Sequence, residues 1–305
     1  MVPLTNISFY YEVLAIVAFI IITALYATNA CNWKRDFKHE KRSSELYSYN
    51  EPNGPSYWKT KYEESRGNLQ SPINICLTNA TVVCVDIDAS LCFSEEYNIT
   101  PNEMSIYNNG HSVTIYARWD NGIRPIVMGG PCKDKYQFLN ARFRWGPNDH
   151  EGSEHTINHK SYAMELQAVH TKTDKCYDSL SGAALDNAVL IITYLYEISP
   201  VENPYLKTLV NSLVKIENPN GCVNIEPIPL FFFMPSFVCN YIYYNGSLTH
   251  PPCTEGVQWI VQPEPLGISS YQVALFRRLR SFCDILDMNR RPVQSLNGRE
   301  LIFYE

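Results

Sequence analysis

The chain has 305 residues, 45% of them apolar and 18% charged, with a formal net charge of −6. This is a globular composition with material for a sizeable core, in one large domain or two small ones. The mildly acidic balance gives no footing for nucleic-acid binding, which needs a basic face. Aromatics reach 13%, with 21 tyrosines, and such a chain leans towards strands.

In chain order, the first feature is an apolar run from Val13 to Ala27, interrupted only by Thr23 and Tyr26. It has about the length of a signal-peptide core and is short for a membrane span. Thr28-Asn29-Ala30 ends in a small residue and fits cleavage before Cys31. The leader carries Glu12 and no basic residue, whereas Lys34, Arg35, Lys38, Lys41 and Arg42 follow it. By the positive-inside rule that order fits an anchor holding the C-terminal part in the cytosol. Sequons at Asn79, Asn98 and Asn245 argue for export instead. Export is the favoured reading. Residues 1–30 are then a cleaved signal peptide or a signal anchor tethering the protein through residues 13–27, and the sequence leaves these two open. Residues 31–46 are polar, charged and aperiodic, and read as a linker.

From residue 47 to 305, short apolar or alternating runs dominate. Ser112 to Ala117, Tyr136 to Trp145, Ala188 to Tyr196 and Gln258 to Gln262 are predicted strands. Turn signals separate them: Asn109-Gly110, Asp120-Asn121-Gly122, Gly129-Gly130-Pro131 and Asn218-Pro219-Asn220-Gly221. One helix is predicted over Ser269 to Leu279, where Val273, Leu275, Phe276 and Leu279 follow helical spacing after two serines. The fold class is therefore mainly β with minor α. Ten cysteines are dispersed with no C-x-x-C pair, so zinc-ribbon and redox readings have no support. Disulfides in an oxidising compartment are expected, and the alternative is a reduced chain with buried thiols.

Several segments together carry a resemblance. They are Asn53-Gly54-Pro55 with Trp58, Gln70-Ser71-Pro72-Ile73-Asn74-Ile75, Asn108-Asn109-Gly110-His111, Phe143-Arg144-Trp145-Gly146 and Gly152-Ser153-Glu154-His155. Glu165 to His170, Ser247-Leu248-Thr249, Pro251-Pro252, Trp259 and Arg291-Pro292-Val293-Gln294 complete the set. In order and spacing this chain resembles the α-carbonic anhydrases from about residue 47 to its end. The resemblance implies a large, twisted, mostly antiparallel sheet with a conical active site on one face.

That family holds zinc on three neutral imidazoles and uses the metal to lower the pKa of bound water to about 7. The matching positions here are Arg142, Arg144 and Gln167. Arginine is permanently charged and has no acceptor lone pair, and glutamine offers one weak oxygen. Zinc is accordingly expected to be absent. His150, His155 and His159 are close in sequence and read as surface or loop histidines rather than a ligand set.

The resemblance further places His111 at the proton-shuttle position, with Tyr49 and Asn109 among the water-ordering residues. It matches Glu154 and Thr249 to the pair that orients the metal-bound hydroxide. Val169, Val189, Leu248 and Trp259 match the apolar wall, and Glu165 matches the carboxylate behind the third ligand. His250 adds an imidazole near the pocket floor. These are read as packing remnants, with no catalytic role expected. Arg142 and Arg144 either pair internally with Glu154 or Glu165 or form a small-anion pocket. The expected protein is a non-catalytic relative that binds an unknown extracellular or cell-surface protein. Residual carbon dioxide hydration on a displaced metal is the competing reading. The aromatic run Tyr241 to Tyr244 and the apolar run Pro229 to Met234 are candidate contact surfaces, with strand-core packing the more common explanation for both. Cys253 matches a family disulfide position whose usual partner is missing, because Glu63 to Leu69 contains no cysteine.

Overall fold

Runs of β-branched and aromatic residues, buried almost continuously along the central strands, build the molecule strand by strand. The structure is a computed structural model and describes residues 47–86, 90–174 and 176–305. The leader, cleavage position, tether and linker expected over residues 1–46, with Cys31, lie outside the described residues.

The described strands are β1 (Asn74–Ile75), β2 (Thr81–Val83), β3 (Cys92–Phe93), β4 (Glu103–Asn108), β5 (Val113–Arg118), β6 (Ile126–Gly129) and β7 (Cys132–Trp145). They continue as β8 (Thr156–Ile157), β9 (Met164–Lys172), β10 (Val189–Ile198), β11 (Cys222–Ile225), β12 (Tyr241–Ser247), β13 (Glu255–Ile268) and β14 (Ile302–Tyr304). Among the described residues, 12 strands form one sheet with the main order β11-β4-β5-β7-β9-β10-β13-β12-β14-β2, while β6 flanks β7 and β3 flanks β6. Only β10–β13 and β14–β2 run parallel within it, so the sheet is mostly antiparallel. The predicted strands all form, each longer or shifted by a few residues.

Both faces of the central strands are covered. On β10, Leu190, Ile192, Tyr194 and Tyr196 enter the larger core, while Val189, Ile191 and Leu195 enter a second apolar cluster on the opposite face. A fully buried side chain of this kind stabilises by roughly 1.5–3 kcal/mol, so these interior strands anchor the sheet.

Four short α-helices are described: α1 (Pro55–Lys61), α2 (Leu180–Leu185), α3 (Lys207–Ser212) and α4 (Ser270–Phe276). The predicted helix is α4. Ser269 caps it by accepting from Gln272 N–H, and the Gln272 side chain accepts in return from the Ser269 backbone. Its buried Phe276 lies against Phe143 and Trp145, with ring centroids 5.0 and 5.4 Å apart. The helix therefore braces the back of β7, directly behind Arg142 and Arg144. The other three helices are too short to show a periodic stripe in sequence. No helix among the described residues is long and apolar enough to cross a membrane.

Three expectations are corrected. No disulfide forms among the described residues, where Cys76, Cys84, Cys92, Cys132, Cys176, Cys222, Cys239, Cys253 and Cys283 are all free thiols. Cys253 is shut into an aromatic cluster with Tyr49 and Trp58, with no second cysteine in that cluster. Second, Tyr241, Ile242 and Tyr244 are completely buried, because β12 lies inside the sheet, so this run is core rather than a contact surface. Third, Pro229 to Met234 divides, since Leu230, Phe233 and Met234 are buried and only Phe231 and Phe232 stay exposed.

The thiols should separate by burial. Cys84, Cys92, Cys176, Cys222 and Cys283 are exposed, whereas burial pushes the thiols of Cys132 and Cys253 up to about 12. Since the thiolate is the reactive form, the exposed five should be alkylated at neutral pH well before the buried pair. Unfolding without reductant should release all nine of these thiols for alkylation, each read on its own peptide by mass spectrometry. A lower count after unfolding would reveal disulfides and contradict the structure.

Candidate functional site

A slip in register decides which side chains of β7 reach the site. Tyr136 and Phe138 face the larger core, pairing shifts between Phe138 and Asn140, and thereafter Ala141, Phe143 and Trp145 face that core. Asn140, Arg142 and Arg144 are thereby turned to the other face. On β9, Glu165, Gln167 and Val169 share it, opposite Arg144, Arg142 and Asn140 respectively. A cross-strand row runs Thr114, Arg142, Gln167, Thr193.

Arg144 is the centre of this face and is only 1% exposed. Its Nε lies 3.3 Å from Glu154 Oε2 and donates to Gln167 Oε1, also at 3.3 Å. Nη1 donates to the Tyr49 hydroxyl at 2.6 Å and to the Asn289 carbonyl at 3.4 Å. Nη2 donates to Thr249 Oγ1 at 3.3 Å. Burial alone would lower the Arg144 pKa, but Glu154, Tyr49, Tyr47 and Glu165 push it above its ordinary value, so the charge is permanent.

The carboxylates behind it are equally engaged. Glu154 Oε2 accepts from Gln167 Nε2 at 2.7 Å, and Oε1 accepts from Arg291 N–H at 2.9 Å. Burial raises the Glu154 carboxyl above its ordinary value although Arg144 draws it down, and Glu165 adds to the rise. Glu165 accepts from the backbone of Glu154 and His155, from His155 Nδ1 at 3.0 Å and from Gln167 Nε2 at 2.8 Å. Burial pushes Glu165 upward as well, but His155 and these donors hold it below its ordinary value. The loop bearing Glu154 passes close under the β9 entry. A Cβ on Gly152 would stand 1.7 Å from the Ala163 carbonyl, so only glycine fits there.

His155 corrects the reading of the three nearby histidines. His150 and His159 are exposed, but His155 is fully buried between Glu165 and Tyr244, with Nε2 2.6 Å from the Tyr244 hydroxyl. Tyr244 donates on to Ser71 Oγ at 2.9 Å.

Arg142 donates from Nε to Asn140 Oδ1 at 3.2 Å, and its Nη1 lies 2.9 Å from His250 Nε2. Burial, then Arg142 and Arg144, hold the imidazole of His250 well below its ordinary pKa. The ring is neutral, so Nδ1–H donates to the Pro251 carbonyl at 3.1 Å and Nε2 accepts from Arg142. His111 is buried and stacks on Tyr47, ring centroids 3.9 Å apart and planes 11° apart. Asn109 is occupied by its turn, where Oδ1 accepts from the backbone of His111 and Ser112 at 2.9 and 2.7 Å. Val169, Val189, Leu248 and Trp259 come together in the second apolar cluster, all at most 1% exposed.

The structure thus gathers Tyr49, Arg144, Glu154, Glu165, Gln167 and Thr249 into one buried polar network, with the Arg142–His250 pair beside it. Sequence reasoning missed Tyr47 as the lid on His111, Asn289 as a carbonyl acceptor for Arg144, and Tyr244 as the partner of His155. Asn289 carried no signal, since a lone asparagine far along the chain has no pattern. These residues do not fit zinc. Two guanidinium groups offer no lone pair, and one amide oxygen, already accepting from Arg144, is not a donor set. A dication roughly 4 Å from one guanidinium would be repelled by about 8 kcal/mol at an effective dielectric of about 20. Without a metal, the two arginines and two glutamates already balance in formal charge.

Arg144→Ala should therefore leave Glu154 buried and uncompensated, lowering stability by about 3–5 kcal/mol in urea unfolding. A loss under about 1 kcal/mol would remove Arg144 from the centre of this network. Alkali should act on the same region. Burial pushes Tyr49 up to about 12, against the pull of Arg144, while an unfolded tyrosine ionises near 10. Below about pH 10 both states keep the proton, and above it only the unfolded chain gains by ionising, so stability should fall as pH rises from about 10 towards 12. Stability flat across that window would contradict the burial of Tyr49.

Comparison with known proteins gives the same family as the fold and motifs. Residues 53–305 match the eukaryotic-type carbonic anhydrase family. The chain is 34% identical over 266 residues to carbonic anhydrase 1 of Monodelphis domestica, covering 84% of this chain and 96% of that protein. It is 32% identical over 262 residues to carbonic anhydrase 7 of Homo sapiens, covering 83% and 95%. Carbonic anhydrase 7 of Mus musculus matches at 32% over 259 residues, with the same coverage. From its Asn53-Gly54-Pro55 motif to its last residue, this chain belongs to the eukaryotic-type carbonic anhydrase family.

Proposed function

We propose that this protein is a non-catalytic member of its family, displayed outside the cell and acting through contacts with another protein. The observation that carries the first half is Arg144. It stands where the family has a zinc-binding histidine, and its guanidinium donors are committed to Tyr49, Gln167, Thr249 and the Asn289 carbonyl beside Glu154. The hydroxyl of Thr249 and the carboxylate of Glu154, which match the hydroxide-orienting pair, serve an arginine here. A buried imidazole stacked on Tyr47 is poorly placed to exchange protons with solvent, which fits His111 as a packing residue.

The extracellular half rests on the apolar run at Val13 to Ala27 and on the sequons at Asn79, Asn98 and Asn245, whose asparagines are all exposed. The free thiols pull towards a reducing compartment, since exposed cysteines in an oxidising one usually pair. The names of the relatives favour the competing reading, carbon dioxide hydration, and a direct assay separates the two. Purified protein should contain zinc at less than about 0.1 per chain and show no inhibitor-sensitive hydration, as expected for a site without imidazole ligands. Near-stoichiometric zinc with activity would overturn the proposal.

One observation favours a small-anion role. The hydroxyls of Thr114 and Thr193, at either end of the row through Arg142 and Gln167, are buried with no partner among the described residues. A water or a small anion would satisfy them. A melting temperature that rises with bicarbonate or chloride, and no longer does so in Thr114→Val, would support this reading. An unchanged melting temperature would leave water as the occupant.

A further inference from the structure

The sheet ends in a short edge strand that, among the described residues, carries no charge, proline or bulge. Strand β2 is the last in the order, joined only to β14, with which it runs parallel. Thr81 N–H and the Val83 carbonyl bond inward to Leu301 and Glu305, so the backbone groups of Val82 lie on the open side. Val82 is 54% exposed and Val83 38%. Thr81-Val82-Val83-Cys84-Val85 contains no lysine, arginine, glutamate or proline, and the strand pairs without a bulge. Such an edge is a template for pairing with another chain, and proteins ordinarily block it with charge, proline, a bulge or short length, of which β2 has only the last. The opposite edge has proline protection, since β11 lies between Pro219 and the pair Pro227 and Pro229.

A second, independent feature sits at the β2 edge. Asn79-Ala80-Thr81 is a sequon that runs directly into β2. Asn79 closes a 3-10 turn over Leu77–Asn79, and its side chain is exposed. Its Oδ1 meets only the Thr78 hydroxyl at 3.5 Å, and nothing among the described residues holds Nδ2.

We infer that Asn79 is an N-glycosylation site whose glycan guards the β2 edge in place of charge or proline. This rests on the extracellular reading above, because the transfer occurs only on exported chains. Nδ2 of Asn79 forms a bond to C1 of an oligosaccharide carried on a lipid diphosphate. The C1–O bond breaks, the lipid diphosphate leaves with the electron pair, and the amide proton passes to the transferase base. The glycan then stands two residues from the exposed edge and excludes a second strand by bulk and hydration. Asn98 and Asn245 are also exposed, but neither immediately precedes an edge strand.

The test uses the full chain, expressed through the secretory pathway of animal cells. Occupancy is read at Asn79, Asn98 and Asn245 by glycopeptide mass spectrometry, and self-association by light scattering. Asn79 should be occupied in most chains. Asn79→Gln should raise the fraction of mass above the wild-type species by at least about threefold, and adding Val82→Lys should restore it, because lysine is an ordinary edge guard. Asn98→Gln should behave as wild type. An unoccupied Asn79 beside a glycosylated Asn98 or Asn245 would overturn the inference and leave the extracellular reading standing. No glycan at any sequon would overturn both. An occupied Asn79 with Asn79→Gln as monodisperse as wild type would overturn the guarding role.

Discussion

A buried guanidinium has five N–H donors and a charge that burial cannot remove, and everything around Arg144 answers that demand. Glu154 supplies the opposing charge, and Gln167, Tyr49, Thr249 and the Asn289 carbonyl accept its protons. Each of those partners is itself fixed. Gln167 spans Glu154 and Glu165, Glu165 clamps the Glu154 loop by its backbone, and Arg291 donates its N–H to Glu154. A half-satisfied network of this kind would cost more than an apolar core, so its members stand or fall together.

The same constraint explains why motifs far apart in sequence meet. Arg291 donates from Nη1 to Gln70 Oε1 and to the Ser71 carbonyl, at 2.9 and 2.8 Å. Ser71 in turn accepts from Tyr244, which holds His155 against Glu165. The segments near residues 70, 155, 165, 245 and 290 thus form one supporting shell. In a relative with a metal, such a shell would orient ligands. Here the same positions orient the Arg144 guanidinium.

Much of this was legible in the sequence, and the failures have physical causes. The fold class, the α4 cap and the gathering of Glu154, Glu165, Gln167 and Thr249 followed from alternation, Ser269 and motif order. The direction of Arg142 and Arg144 depends on the register slip at Leu139, which alternation alone does not reveal, since Tyr136 and Phe138 share parity with the arginines yet face the other way. His155 looked like a loop histidine because its loop is tied down by Glu165, eleven and ten residues beyond the two N–H groups it accepts. Tyr241 to Tyr244 looked exposed because burial on both faces of β12 comes from strands distant in sequence. The cysteine pattern was uninformative because dispersion describes free thiols and disulfides equally well.

Arg144 and Glu154 stand as an opposed pair, 3.3 Å apart and buried. A double-mutant cycle tests this most directly, with Arg144→Met, Glu154→Gln and the double variant compared by urea unfolding. Each single variant should lose about 3 kcal/mol or more, since each leaves a buried charge alone, and the double variant should lose clearly less than the sum. Coupling near zero, with the single losses simply adding, would contradict that pairing.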